Sequence, residues 1–145
     1  MLDVHIDDFY KDCATTLLSG FRAFPRQQTL FIEDISGPDT VDEFGLHSPR
    51  HLAALGAVQW LREEGFIRFG AINRQDSVDD FVLTSKAFTR LIAPALPQSL
   101  RGSADNIEHS GDVTPVFQVL EFARLQGDSL WVGELVRDYL LSHQA

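Results

Sequence analysis

Three side chains that could bind a metal ion recur every four residues in the middle of the chain. Glu43, His47 and His51 would lie on one face of a continuous helix and could supply carboxylate and imidazole ligands. A helix start interrupts this run, because Ser48 is a favourable N-cap and Pro49 suits the first helical position. The spacing therefore implies no shared face, and we expect neither a metal site nor a cofactor.

Paired carboxylates and one short serine motif are the other features that could carry catalysis. Glu63 and Glu64 are neighbours on a helical segment, so their side chains do not face each other as an acid–base pair would. The pairs Asp7–Asp8 and Asp79–Asp80 have no partner residues that define a reaction. The sequence GDS at 127–129 occurs in some lipid esterases, but no oxyanion-hole or histidine block accompanies it. We therefore expect a protein that is not an enzyme.

The size and charge of the chain limit the possible partners. Its 145 residues suit one domain or a small domain with an extension, and a hydrophobic content of 44% is enough for a core. The formal net charge is −9. A field of that sign repels phosphate, so nucleic-acid binding would need a local positive face. The same charge could equally serve solubility alone.

The single cysteine and the N-terminus bear on the compartment. Cys13 excludes an intramolecular disulfide, and it lies on an apolar helical stripe where a small core residue is expected. The start, MLDVHIDDFY, has neither the basic region nor the apolar run of a signal peptide. No apolar run reaches the ~20 residues that a membrane span needs. We expect a cytoplasmic protein with no membrane association.

Apolar periodicity and capping signals predict four elements in the first half. Apolar residues recur at spacings of four and three over 7–24, which predicts a helix ending at Pro25. TLFIEDI, residues 29–35, reads as a short strand. A capping box, Thr40 with Glu43, predicts a short helix over 40–46. A longer helix is predicted over 49–64, with Gly65 ending it.

The second half alternates between strand signals and helical segments. FIRFGAI and FVLTS read as two strands around a polar tip, after which Ser85 is a candidate N-cap for another helix. Residues 98–112 are nearly free of large apolar side chains and read as a linker. Two apolar helical segments follow around QGD, which is either a turn or a weak point in one helix. The predicted organisation is a domain over 1–97, a linker over 98–112 and a helical extension over 113–145.

The passage from the long helix into the two strands resembles a known family. AVQWLREEGFIRF, followed by FVLTSKAF, is similar to the winged helix-turn-helix domain of multiple-antibiotic-resistance-type and related bacterial regulators. The matching positions are Leu61, Gly65, Phe66, Ile67, Leu83, Thr84 and Lys86. The resemblance spans roughly residues 7 to 91. It implies an α+β, mostly helical fold, in which a winged helix-turn-helix domain carries a C-terminal helical extension.

The resemblance also implies a function, that of a DNA-binding transcriptional regulator acting as a dimer. The helix over 49–64 would be the recognition helix, and the two strands would form the wing. Arginines of the wing would reach phosphate or the minor groove. The implied DNA-contacting residues are Ser48, Arg50, His51, Gln59, Arg68 and Arg74.

Charge around this region supports two different interpretations. Residues 44–75 hold four arginines and two glutamates, a net charge of +2 that favours DNA. Asp76, Asp79 and Asp80 follow on the descending side of the wing, where they would oppose phosphate. Trp60 stands where such regulators often have a basic or polar residue. The alternative is an acidic winged-helix module that binds a partner protein as an adaptor, an inhibitor or a nucleic-acid mimic. Trp60 would then be either an interface anchor or a packing residue.

The large apolar side chains of the extension must be covered. Trp131, Leu135 and Tyr139 belong to an amphipathic segment that is too apolar to stay exposed. They either pack back on the same chain or form an interface with a second copy. Regulators of this type commonly dimerise through terminal helices, so we expect a homodimer.

Overall fold

The computed structural model describes residues 4–96 and 114–142, and its architecture is α+β and mostly helical. Within these residues a 4-stranded antiparallel sheet lies among the helices. In chain order the elements are α1 (Val4–Ala23), β1 (Gln28–Phe31), α2 (Glu33–Ser36), α3 (Pro49–Glu63), β2 (Ile67–Arg68), β3 (Ile72–Asn73), β4 (Ser77–Leu83), α4 (Ser85–Ile92), α5 (Val116–Leu125), α6 (Ser129–Leu135) and a π-helical turn (Val136–Leu140).

Helix α1 lies at the centre of the molecule. It contacts α3, β4, α5 and α6, and its buried stripe includes Cys13 and Leu17, both 0% exposed. Helix α1 approaches the sheet closely at Gly20, where a Cβ atom would lie 2.6 Å from Cδ2 of Leu83. The predicted apolar stripe is therefore the surface on which the other elements assemble.

Strand β4 is the middle of the sheet and pairs antiparallel with β1, β2 and β3. A single strand was expected over 66–72, but the structure has two short strands in that stretch. The register is the same on both sides of the gap, with Arg68 opposite Val82 and Ile72 opposite Val78. Asp80 of β4 lies opposite this gap with φ of 57°, and this left-handed conformation interrupts the regular ladder.

The start and end of α3 confirm the sequence signals. Ser48 is the N-cap, and its side chain accepts a hydrogen bond from the backbone N–H of His51. Gly65 follows the helix with φ of +82°, a conformation that favours glycine. The QGD stretch is a turn, because α5 ends before it and Gly127 has φ of +70°.

Two local predictions are wrong, and both fail through competing side-chain hydrogen bonds. No helix forms over 40–46. The Asp42 carboxylate instead accepts hydrogen bonds from the backbone N–H groups of Phe44 and Leu46, which closes a turn. The N-cap of α4 is Thr84, one residue before the predicted Ser85, and its side chain accepts from the N–H of Ala87.

The strand expected over 29–35 is shorter than predicted. It ends at Phe31, and the single helical turn α2 occupies Glu33–Ser36. Ile32, at the junction, is 0% exposed and its backbone N–H donates to the carbonyl of Asp76. The predicted linker, residues 98–112, lies outside the described residues.

The C-terminal helices pack on the same chain. Trp131 and Leu135 are each 2% exposed in the hydrophobic core, and the half-buried Tyr139 accepts a hydrogen bond from the N–H of Leu96. Among the described residues, those before and after 97–113 therefore contribute to one core. Because these side chains are covered within the chain, a homodimer would need other surfaces, and it stays a prediction.

None of the helices in the parts that the structure describes has the length and apolar character needed to cross a membrane.

Replacing Trp131 tests this packing. Trp131→Ala should lower the free energy of unfolding by about 3–5 kcal/mol, because it removes a large core side chain. Leu130→Ala is the control, since Leu130 is 58% exposed and its loss should change stability by less than ~0.5 kcal/mol. Urea unfolding at several protein concentrations measures both. A Trp131→Ala loss that depends on protein concentration would instead place Trp131 in an interface between copies.

Candidate interface around helix α3 and the adjoining hairpin

The guanidinium of Arg50 faces helix α1. Its Nη1 and Nη2 donate to the two carboxylate oxygens of Asp12 at 2.8 and 2.5 Å, a bidentate pair. The Asp12 side chain is only 2% exposed, and Asp8 lies a further 3.8 Å from Arg50 Nε. Arg50 therefore joins α3 to α1 through this pair, while its side chain remains 35% exposed.

Burial and ion pairing shift the pKa of Asp12 in opposite directions. Burial raises the pKa of Asp12, and the hydrogen bonds and charge of Arg50 oppose that rise. The same contact with Asp12 raises the pKa of Arg50. Removing the arginine would leave a desolvated carboxyl group with no strong donor.

Ser48 and His51 are also turned into the protein. The Ser48 hydroxyl caps α3 as described above. His51 is 0% exposed, and its Nε2 lies 2.7 Å from the carbonyl oxygen of Gln75 at the tip of the β3–β4 hairpin. The hairpin thus covers the first turn of α3 at His51. Three of the residues implied to read DNA, Ser48, Arg50 and His51, have intramolecular roles.

The other implied DNA contacts are exposed. Gln59 lies on the outer side of α3, Arg68 on β2 and Arg74 in the hairpin turn, where its φ is 52°. The exposed side of α3 carries no charge over its first three turns and carries Arg62 and Glu63 at its end. Its exposed residues are Pro49, Leu52, Ala53, Gly56, Gln59, Arg62 and Glu63.

Trp60 packs against helix α1. Its ring meets Phe9 edge-on with centroids 5.2 Å apart, and Phe66 lies 6.5 Å away on another side. Trp60 is half-buried. Trp60 and the buried Trp131 therefore both make packing contacts within the chain.

The segment before α3 presents apolar side chains among carboxylates. This acidic–apolar segment, residues 33–46, holds five acidic residues and no basic residue. Val41, Phe44 and Leu46 are 52, 78 and 62% exposed. Sequence reasoning missed this surface because the capping box suggested a helix, and an amphipathic helix would have buried part of it.

The base of this segment holds a cluster of two histidines and two aspartates. The rings of His47 and His51 stack with centroids 3.8 Å apart. Oδ2 of Asp39 lies 2.8 Å from His47 Nδ1 and 3.7 Å from His51 Nδ1. On the other side, His47 Nε2 lies 2.8 Å from Oδ1 of Asp76.

The cluster alters the titration of its members. Hydrogen bonds from Ser48 and His47 lower the pKa of Asp39, and the hydrogen bond to Asp39 raises the pKa of His47. Within the described residues, Asp39, His47 and His51 are the group whose ligand atoms could hold a metal ion. The four-residue spacing had drawn attention to Glu43 instead. Asp39 has no such spacing, and only the fold of the loop brings it to the histidines.

Comparison with known proteins adds no relative: no family model matches the chain, and neither a curated protein nor a solved structure matches it.

The Arg50–Asp12 pair gives a stability prediction. Arg50→Ala should lower the free energy of unfolding by about 3–5 kcal/mol, because it leaves the buried Asp12 carboxylate without its partner. Arg68→Ala removes an exposed arginine and should change the free energy of unfolding by less than ~0.5 kcal/mol. The double variant Asp12→Leu/Arg50→Met should recover most of the loss in urea unfolding. Equal small effects of Arg50→Ala and Arg68→Ala would show that the pair contributes little.

Proposed function

We propose that this chain is a winged-helix-type protein-interaction module whose acidic–apolar segment binds a partner with a basic and apolar surface. The observation that carries the proposal is the exposure of Val41, Phe44 and Leu46 among carboxylates beside α3. Exposed apolar patches that are rimmed by polar residues are typical of protein-binding surfaces.

The order and pairing of the elements support the winged-helix part of the proposal. Helix α1 and strand β1 precede α2 and α3, and β4 pairs with β1 on one side and with β2 on the other. In a winged helix, α3 would be the recognition helix and β2 to β4 the wing. Folds of this type also serve as protein-interaction modules, so the layout alone does not decide the ligand.

Local hydrogen bonds prepare the segment for binding. Asp42 fixes the turn at Phe44 and Leu46, and the N–H of Ser48 donates to Oδ2 of Asp39 at 3.3 Å. A loop that is already ordered loses less conformational entropy when a partner binds. Fully burying side chains such as those of Phe44 and Leu46 would contribute about 1.5–3 kcal/mol each.

The negative charge of the segment indicates the class of partner. Glu33, Asp34, Asp42 and Glu43 are all exposed, and the whole chain carries −9. Such a surface attracts basic proteins and repels phosphate. A partner whose arginines or lysines surround apolar side chains fits both features of the segment.

DNA binding is the second candidate. The exposed positions of Arg68 and Arg74 support it, because wing arginines can contact phosphate. The first turn of α3 weighs against base recognition, since Arg50 and His51 are engaged with Asp12 and Gln75. DNA binding of this kind would be governed by phosphate contacts and would discriminate little between sequences.

Surface substitutions in the segment test the first proposal. Phe44→Ser and Leu46→Ser should retain the fold, because both side chains are exposed, but should weaken partner binding at least ~10-fold. The control is Ile92→Ser, which removes a 46% exposed apolar side chain from α4. Immobilised wild type and variants are exposed to lysate of the source cells. Any protein retained by wild type is then purified and its affinity measured by calorimetry at low and high salt.

A partner that binds Phe44→Ser, Leu46→Ser and Ile92→Ser with equal affinity would contradict the proposal. The immobilised proteins should also be incubated with fragmented genomic DNA at low salt. Retention of DNA that is lost in Arg68→Ala/Arg74→Ala, with no protein retained, would favour the second candidate instead.

A further inference from the structure

We propose that Asp39, His47 and His51 form a binding site for a divalent first-row transition metal ion of the zinc type. The site lies where the acidic–apolar segment, the start of α3 and the tip of the hairpin meet. It does not depend on the proposed function, because metal binding can be measured whether or not a partner protein exists.

The hairpin fixes a proton on the Nε2 atom of each ring. The group 2.7 Å from His51 Nε2 is the carbonyl oxygen of Gln75, which can only accept, so this Nε2 must donate. The group 2.8 Å from His47 Nε2 is the carboxylate of Asp76, which again requires a donor. Both Nδ1 atoms face Asp39. That of His47 donates to Oδ2 at 2.8 Å, and a bound metal ion would displace this proton. A carbonyl or carboxylate on the second nitrogen is the usual outer support of a metal-bound histidine.

The Nδ1 atom of His51 is buried and has no hydrogen-bond partner. Its nearest charged neighbour is Oδ2 of Asp39 at 3.7 Å, too far for a hydrogen bond. A lone pair that is buried and directed toward a carboxylate is unfavourable. A cation bound to both groups would remove that penalty and also neutralise Asp39.

The distances suit a small cation after a modest adjustment. The ligand atoms of the three residues lie within 4.8 Å of one another. Ligands at ~2.0–2.1 Å around tetrahedral zinc are about 3.3 Å apart, so His51 Nδ1 and Asp39 Oδ2, which lie 3.7 Å apart, must approach by about 0.4 Å. The His47–Asp39 contact must widen by about 0.5 Å. The stacked rings must also splay, which His47 can do because its side chain lies at the surface side of the cluster, 11% exposed.

The donor atoms select the class of metal. Two imidazole nitrogens and one carboxylate oxygen favour Zn²⁺, Co²⁺ or Ni²⁺ over Mg²⁺ and Ca²⁺, which prefer oxygen ligands. Thiolate does not contribute, because Cys13 is buried in α1. Three protein ligands leave a fourth position for water or for a side chain of a partner. Bound metal would replace the hydrogen bond between Asp39 and His47 at the base of the loop and would add His51 to the link.

Titration of the full chain with Zn²⁺ alone tests the site. We expect one Zn²⁺ per chain by calorimetry and a rise in Tm of several degrees at saturating zinc. Asp39→Asn and His47→Asn should each weaken zinc binding more than ~100-fold, and Asp76→Ala by about 10–100-fold through loss of outer support. Mg²⁺ should give no rise in Tm.

The matched control is His5→Asn, which removes an exposed histidine on α1 and should leave zinc affinity unchanged. Circular dichroism without metal shows whether each variant folds, and two independent ligand variants keep the test decisive if one does not. No zinc binding by folded wild type at ~100 μM would overturn the proposal, as would equal affinity of wild type, Asp39→Asn and His47→Asn. Loss of binding in His5→Asn alone would place the metal elsewhere and would also overturn it.

Discussion

The burial of helix α1 is the constraint on which the other features of the molecule depend. Helix α3, strand β4 and the C-terminal helices all pack against it, and Gly20 allows the sheet to approach closely. One consequence is electrostatic. Asp12 lies on this buried surface, and a carboxylate there requires a strong donor, which Arg50 provides. The need to stabilise α1 thus engages Arg50, one of the DNA contacts that the resemblance implied, in an ion pair within the chain.

The β3–β4 hairpin constrains helix α3. Its turn lies over the start of α3, so that the carbonyl of Gln75 binds His51 and Asp76 binds His47. This contact covers His51 in the first turn of α3, and it orients two imidazoles toward Asp39. The loop that carries Asp39, the first turn of α3 and the tip of the hairpin thereby meet at one point. The exposed apolar and acidic side chains lie in the loop before α3.

The proposed binding surface and the histidine cluster are adjacent but depend on different interactions. The surface depends on apolar side chains that remain exposed among carboxylates, at Phe44 above all. The cluster depends on the buried, unpartnered Nδ1 atom of His51 and on the carboxylate of Asp39 beside it. They are connected through the backbone, because Asp39 and His47 bound the loop that carries Phe44. An ion at the cluster would hold that loop closed, whichever partner it meets.

The sequence by itself determined the elements whose signals are local. The stripe of α1, the start of α3 at Ser48 and its end at Gly65 follow from spacing, capping and backbone conformation within a few residues. Even local signals failed where side chains competed, as when Asp42 closed a turn in place of a helix. Tertiary structure alone decided the pairing of Arg50 with Asp12, 38 residues away, and of His51 with Gln75, 24 residues away. Such contacts depend on how elements pack, and no residue spacing encodes that.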